Sequence, residues 1–204
     1  NFVKNQRQRV TNFHVYSENT LELVTNHKVH NIISEFLKSE QVIYSSLLFR
    51  EGTAQHYHRD TPHFYTNPID KYCGVWYSLE DISPHSGPLK YFKKSHLIED
   101  PNGHIIYKTH NNINKSYAEN NLNCLIEYNK VIEKMCRDNN LIEFNHTNFD
   151  IIKKGDIIIW HPRLLHGGSD VINPTLTIYS MVTHNVPYNS QVFSSIHFFT
   201  DEPT

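Results

Sequence analysis

Residues 52–60 read GTAQHYHRD, and they contain a histidine and an aspartate at strand spacing. His58 and Asp60 are two positions apart, so on a β-strand both side chains point to the same face. We therefore predict a short strand at Gln55–Asp60 that carries His56, His58 and Asp60 on one side. On such a strand Arg59 points to the other side.

Two histidines and one carboxylate on one face of a metal form the ligand set of non-haem Fe(II) oxygenases. His58 and Asp60 fit two of these positions, and His166, which precedes two glycines, fits the third. The chain has 15 histidines, so the chance occurrence of one His-x-Asp has about even odds and the motif alone is weak. A cupin-like His-x-His pattern, in which His56 is also a ligand, is the local alternative.

The surrounding sequence alternates short apolar runs with turn residues, which favours a mainly β fold of the jelly-roll (double-stranded β-helix) type. We predict one domain over 1–204, with an N-terminal helix at His27–Glu40. The predicted strands are Gln41–Arg50, Gly74–Leu79, Pro88–Phe92, Ile157–His161 and Leu176–His184. A polar insertion at about 97–148, with a helix at Leu122–Arg137, is predicted to act as a lid over the site or to form a solvated loop.

The composition is that of an ordinary globular domain, with 38% hydrophobic and 20% charged residues and a net charge of −2. It indicates neither a nucleic-acid nor a membrane partner, and it does not determine the oligomeric state. Three widely spaced cysteines predict free thiols and a cytoplasmic location. The first residue is Asn1, so the start of the chain does not decide targeting.

Four blocks resemble the phytanoyl-CoA dioxygenase-like family of Fe(II)/2-oxoglutarate-dependent oxygenases. In chain order they are SSLLF at 45–49 with GTAQHYHRD at 52–60, GVWYSLED at 74–81, GPL at 87–89 with Ser95-His96, and KGDIIIWH at 154–161 with LHGGS at 165–169. The resemblance implies a jelly roll that holds Fe(II), with His58, Asp60 and His166 as its ligands and catalytic residues. It also implies that Gln55 and Trp76 line the site, and that 2-oxoglutarate is the cosubstrate.

The retained Asp60 bears on the reaction, because halogenating relatives replace this carboxylate with a small residue. The resemblance therefore implies oxidation of a C–H bond in a small organic molecule, most simply a hydroxylation. Several aromatic residues interleave with the predicted site strands, and we interpret them as core packing rather than as a substrate lining. They are Tyr65, Trp76, Tyr77, Tyr91 and Phe92.

The chain departs from the family where an arginine normally binds the remote carboxylate of 2-oxoglutarate. That position holds Ile178, and no Lys or Arg follows Arg163. Another cation could reach the pocket, the candidates being Arg50, Arg163 and Lys90. Neutral donors could replace the arginine, namely Thr177, Tyr179 and Ser180. Alternatively, the chain does not use 2-oxoglutarate. It is then an iron oxygenase of another kind, or a degenerate jelly roll that binds a metal or small ligand without turnover.

Overall fold

The computed structural model describes residues 9–145, 151–193 and 195–200, apart from the side chain of residue 196. The helices of this part are α1 (Glu18–Val24), α2 (His27–Leu37), α3 (Gly103–His110), α4 (Tyr117–Asp138) and α5 (Ser195–Thr200). The strands are β1 (Arg9–Thr11), β2 (Gln41–Phe49), β3 (Tyr65–Asn67), β4 (Cys73–Ser78), β5 (Leu89–Phe92), β6 (Glu143–Phe144), β7 (Ile157–Trp160), β8 (His166–Gly168), β9 (Ser180–Pro187) and β10 (Gln191–Phe193).

Two antiparallel sheets frame the site. The major sheet has the order β1-β2-β9-β4-β7, and the minor sheet has the order β6-β5-β8. The late strand β9 lies between the early strands β2 and β4, as expected for a jelly roll. The predicted fold class is confirmed. A separate ribbon pairs β10 with β3.

The two faces of the major sheet are covered differently. Helix α2 places Val29, Ile33 and Leu37 at helical spacing on one side, and these residues pack against the outer face with Val75 and Met181. The inner face carries a second apolar cluster that extends into the space between the sheets. That cluster contains Trp76, Ile82, Ile152, Trp160, Ile178 and Val182.

The insertion is folded and packs behind the minor sheet. Its main helix, α4, starts with a capping box between Ser116 and Glu119, and it includes the helix predicted at Leu122–Arg137. Buried α4 residues such as Tyr128 and Ile132 join one cluster with Phe92 and Leu165. The insertion thus covers the outside of the minor sheet. Residues 146–148 of the predicted insertion lie outside the described part.

Arg59 ties this insertion to the site segment. Its side chain is fully buried, and Nη1 lies 2.5 Å from Oδ1 of Asp100. Nη2 donates to the carbonyl oxygens of Ser95 and Ile98 at 2.6 and 2.9 Å. The prediction that Arg59 points away from His58 and Asp60 is therefore confirmed.

Cys73, Cys124 and Cys136 are buried and carry free thiols, as predicted. In the described residues, no helix is both long enough and apolar enough to cross a membrane.

Candidate metal centre

The side chains of His58, Asp60 and His166 converge on one point, and one ligand atom from each lies within 4.8 Å of the others. Asp60 Oδ1 is 3.9 Å from His58 Nε2 and 3.7 Å from His166 Nε2. A metal ion can therefore contact all three atoms from one side.

Backbone pairing brings the two histidines together. His58 N–H donates to the His166 carbonyl at 2.8 Å, and His166 N–H donates to the His58 carbonyl at 3.0 Å. This is a single bridge and not a regular strand, so the predicted strand Gln55–Asp60 was wrong. Ala54 has φ 46°, in the left-handed region, which interrupts extended pairing just before this segment.

Each imidazole is oriented by its other nitrogen. His58 Nδ1 lies 3.0 Å from the His56 carbonyl oxygen, and His166 Nδ1 lies 2.9 Å from the Leu164 carbonyl oxygen. A carbonyl only accepts, so in both rings Nδ1 carries the hydrogen and Nε2 keeps its lone pair. Both Nε2 atoms are therefore ready to bind a metal.

The carboxylate of Asp60 is fixed in the same way. Its Oδ2 atom accepts a hydrogen bond from Trp160 Nε1 at 2.8 Å and another from the Tyr72 hydroxyl at 3.3 Å. Gly74 makes room for the indole, since a Cβ at this position would lie 2.1 Å from the Trp160 ring. The Oδ1 atom is left to face the histidines.

The electrostatics favour the metal-binding protonation state. Burial, with a smaller contribution from His166, lowers the pKa of His58 to about 3, so this ring is neutral near pH 7. Burial opposes ionisation of Asp60, but the neighbouring histidines and the bond from Trp160 outweigh it and lower its pKa. Near neutral pH the site therefore offers neutral imidazole and carboxylate.

The three residues lie in the wall of a cavity of about 390 Å³ between the two sheets. Gln55, Trp76 and Ser180 line this cavity, and Gln55 Nε2 is 3.3 Å from His58 Nε2. Thr177 does not line it. The lining residues on this segment come at every second position, namely Ile178, Ser180, Val182 and His184.

Most of the residues considered as alternatives from the sequence lie outside the cavity lining. His56 is exposed and is not among the lining residues, so it is not positioned as a ligand. None of the described residues of the insertion lines the cavity, so this part of the insertion is not placed as a lid. Of the aromatic residues considered above, Trp76 lines the cavity, whereas Tyr77 packs on the outer face and Phe92 against α4.

The three candidate cations also lie elsewhere. Arg163 forms ion pairs with Asp70 and Asp100, at 3.5 and 3.4 Å. Lys90 Nζ lies 4.6 Å from the centre of the Tyr57 ring. Arg50 is exposed and outside the cavity lining.

Arg9 is the functional candidate that sequence reasoning missed. It lies on the edge strand β1 and lines the cavity together with Thr11. A three-residue strand has too little pattern to be recognised, and nothing in its sequence predicts pairing with β2. The only feature of Arg9 in the sequence that suggests a function is its positive charge, and a charge alone does not show where the side chain lies.

Fold and site together define a class: a jelly roll with a two-histidine, one-carboxylate metal centre between its sheets. The chain belongs to the phytanoyl-CoA dioxygenase (PhyH) family, whose sequence model matches residues 1–175. This confirms the membership inferred from the sequence blocks. The matched stretch includes all three candidate ligand residues and ends before Ile178.

Solved structures with the same fold include the non-haem α-ketoglutarate-dependent carbocyclase SnoK from nogalamycin biosynthesis. It is 13% identical with a TM-score of 0.63, over 90% of this chain and 64% of that chain. EctD from S. alaskensis in its apoform is 14% identical with a TM-score of 0.65, over 98% of this chain and 63% of that chain. No curated protein matches the sequence.

The epimerase SnoN, in complex with Fe3+, α-ketoglutarate and nogalamycin RO, is 14% identical with a TM-score of 0.62. The match covers 96% of this chain and 69% of that chain. At these identities the likeness shows the fold. The chain spans less than two thirds of the length of SnoK and of EctD.

Proposed function

We propose that this protein is an Fe(II)- and 2-oxoglutarate-dependent oxygenase that oxidises a C–H bond of a small organic molecule. The observation that carries the proposal is the convergence of His58 Nε2, His166 Nε2 and Asp60 Oδ1 on one point in the cavity wall. Membership of the phytanoyl-CoA dioxygenase family and the solved complex of SnoN with iron and α-ketoglutarate support it.

The donor set fits iron. Two imidazoles and one carboxylate on one side of the ion are the ligands of non-haem iron oxygenases. Bound iron and 2-oxoglutarate would supply the activation of dioxygen that the side chains cannot provide.

Other residues of the protein orient the candidate ligands and line the space around them. Trp160 and Tyr72 hold Asp60 in one orientation, and the two backbone carbonyls hold the histidines. Leu47, Phe49 and Trp76 give the cavity wall an apolar part, which would help to keep water from the reacting groups. Because Asp60 is present, the ligand set leaves no vacancy at this position for a halide.

The cavity also bears on the substrate. Its volume of about 390 Å³ lies at the lower end of the range for small-molecule sites, and the cosubstrate occupies part of it. We therefore propose a small substrate. The three free, buried thiols support a cytoplasmic location.

The test is an anaerobic titration of the metal-free protein, first with Fe(II) and then with 2-oxoglutarate, followed by visible absorption. A charge-transfer band that appears only when both are present is expected, because 2-oxoglutarate then chelates the bound iron. The variant His58→Ala should show no band, while Arg50→Gln, an exposed residue outside the cavity, should behave like the unmodified protein.

The same titration separates the competing hypotheses. Iron binding without a band would keep the metal centre and contradict the use of 2-oxoglutarate. Absence of iron binding would contradict the metal centre itself and would favour a degenerate jelly roll.

A further inference from the structure

The proposed cosubstrate carries a negative charge that needs a partner in the cavity. 2-Oxoglutarate has one end that chelates a metal and a remote carboxylate at the other end. An unpaired carboxylate inside a protein cavity is costly, and a bidentate arginine is the usual partner. The sequence resemblance aligns Ile178 with the arginine that binds this carboxylate in the family. Ile178 lines the cavity, so an apolar side chain occupies the place where the resemblance predicts a cation.

Within the described residues, Arg9 is the only Lys or Arg side chain in the cavity lining. Arg59 and Arg163 are paired with acidic groups near the insertion. Lys90 lies against the Tyr57 ring. None of these three is available without breaking an existing contact.

Arg9 is held in place by backbone pairing. It is opposite Phe49 in the β1–β2 register, and Phe49 is opposite Ser180 in the β2–β9 register. Arg9 therefore enters the cavity from two strands away, about 10 Å from the backbone of β9, since neighbouring strands are about 4.8 Å apart. Thr11, two residues further along β1, lines the cavity as well and offers a hydroxyl group on the same strand.

The positive charge of the Arg9 guanidinium affects the histidines that line the cavity. In the part of the chain that the structure describes, Arg9 makes no side-chain hydrogen bond or ion pair. Burial is the main reason that the pKa of His184 falls to about 4, and the positive charge of Arg9 adds to this fall. His184 is itself close enough to Asp60 to lower the pKa of that carboxyl.

We propose that Arg9 binds the remote carboxylate of 2-oxoglutarate and thereby replaces the arginine that is absent at Ile178. This assignment rests on the proposed function. In this assignment the cation lies on the edge strand β1 and not at position 178, which precedes β9 by two residues. Ile178 fills the vacated position with carbon, and Ser180 retains a hydroxyl on β9.

The test compares two 2-oxo acids on the Fe(II)-loaded protein under anaerobic conditions. 2-Oxobutyrate keeps the chelating end of 2-oxoglutarate but lacks the remote carboxylate. The unmodified protein should bind 2-oxoglutarate more tightly, by roughly tenfold or more, as one charged hydrogen-bonded contact provides. Both dissociation constants are obtained from the absorption titration, independently of turnover.

Arg9→Gln should weaken 2-oxoglutarate binding by roughly tenfold and leave 2-oxobutyrate binding unchanged, so that the preference disappears. Arg9→Lys should keep part of the preference, because the charge remains without the bidentate geometry. Arg50→Gln removes a nearby exposed charge outside the cavity and should leave both constants unchanged. Thermal melting checks that each variant is folded.

A second variant tests the exchange of positions directly. Adding Ile178→Arg to Arg9→Gln should restore the preference for 2-oxoglutarate. The proposal is overturned if Arg9→Gln binds 2-oxoglutarate like the unmodified protein, or if both 2-oxo acids lose affinity equally. If the unmodified protein binds iron but neither 2-oxo acid, the proposed function itself fails, and this assignment fails with it.

Discussion

The metal site and the β1–β2 wall of the cavity are organised in opposite ways. By the metal site we mean His58, Asp60 and His166, and by the β1–β2 wall we mean Arg9, Thr11, Ser45, Leu47 and Phe49. In the metal site, each ligand has a second polar atom that is held by a hydrogen bond. In the wall, the only charged residue, Arg9, is exposed and has no such partner in the described residues.

This difference shows which group is organised before a ligand arrives. Orienting bonds hold the three ligands in a metal-binding geometry, so little has to be reorganised when an ion binds. An unpaired guanidinium retains its rotamer freedom and keeps its donors available. Its order must come from the ligand that it binds, at a cost in side-chain entropy.

The largest effect is expected from breaking the metal site directly. Asp60→Ala removes the only carboxylate ligand, so Fe(II) affinity should fall at least 100-fold and 2-oxoglutarate-dependent turnover should vanish. Equilibrium dialysis against Fe(II) measures the first effect, and succinate formation measures the second. Retained turnover in this variant would refute the ligand assignment.

A smaller effect is expected from loosening the metal site without removing a ligand. Trp160→Phe deletes the 2.8 Å bond to Asp60 Oδ2 but keeps an aromatic ring, and should weaken Fe(II) binding by roughly 10- to 100-fold. Tyr72→Phe is the matched control, because its bond to the same oxygen is longer, at 3.3 Å. Its effect should be smaller, and equal losses in both variants would contradict the assigned orienting role of Trp160.

Lowering the pH should sharpen the comparison, because a neutral histidine lies at each region. Half-buried His58 belongs to the metal site, and buried His184 of β9 places Nδ1 2.6 Å from Ser45 Oγ of the wall. Their pKa values in the folded protein, about 3 and about 4, lie below the value of 6.5 for an unfolded histidine. Between the folded and the unfolded pKa, the unfolded chain therefore binds more protons than the folded protein. Stability should therefore fall as the pH drops from 6.5 towards 4.

Each histidine should contribute about 1 to 2 kcal/mol to this loss at pH 5. Urea unfolding of the metal-free protein at pH 7 and pH 5 measures it. His184→Asn keeps a polar group near the Nδ1 position and should reduce the loss. A free energy of unfolding that is the same at both pH values would contradict the burial of neutral imidazoles.

Sequence reasoning was most successful where the chemistry is local. The helix at His27–Glu40 and the strand at Gln41–Arg50 correspond to α2 and β2, because each has a clear apolar period and a breaker at its end. The segment Gln55–Asp60 was predicted as a strand and forms a single bridge. A period of two predicts which side chains share a face, but it does not reveal whether a partner strand continues beyond one residue.

The position of the insertion also could not be predicted from a local sequence pattern. The sequence predicted its helix, yet not that Tyr128 and Ile132 pack behind the minor sheet, away from the cavity lining. Amphipathic spacing defines an apolar face but not the surface that covers it. That choice depends on contacts such as Arg59 with Asp100, which join residues far apart in the chain.

The sequence by itself predicted the chemistry of the candidate metal site. His58 and Asp60 are candidate ligands on one segment, and the blocks around them indicate the family and, through the resemblance, the third candidate ligand, His166. Only the tertiary structure decided which cation faces the cavity. Arg9 is placed by the pairing of a three-residue edge strand with β2, and a contact between residues about 40 positions apart depends on the whole sheet and not on any local pattern.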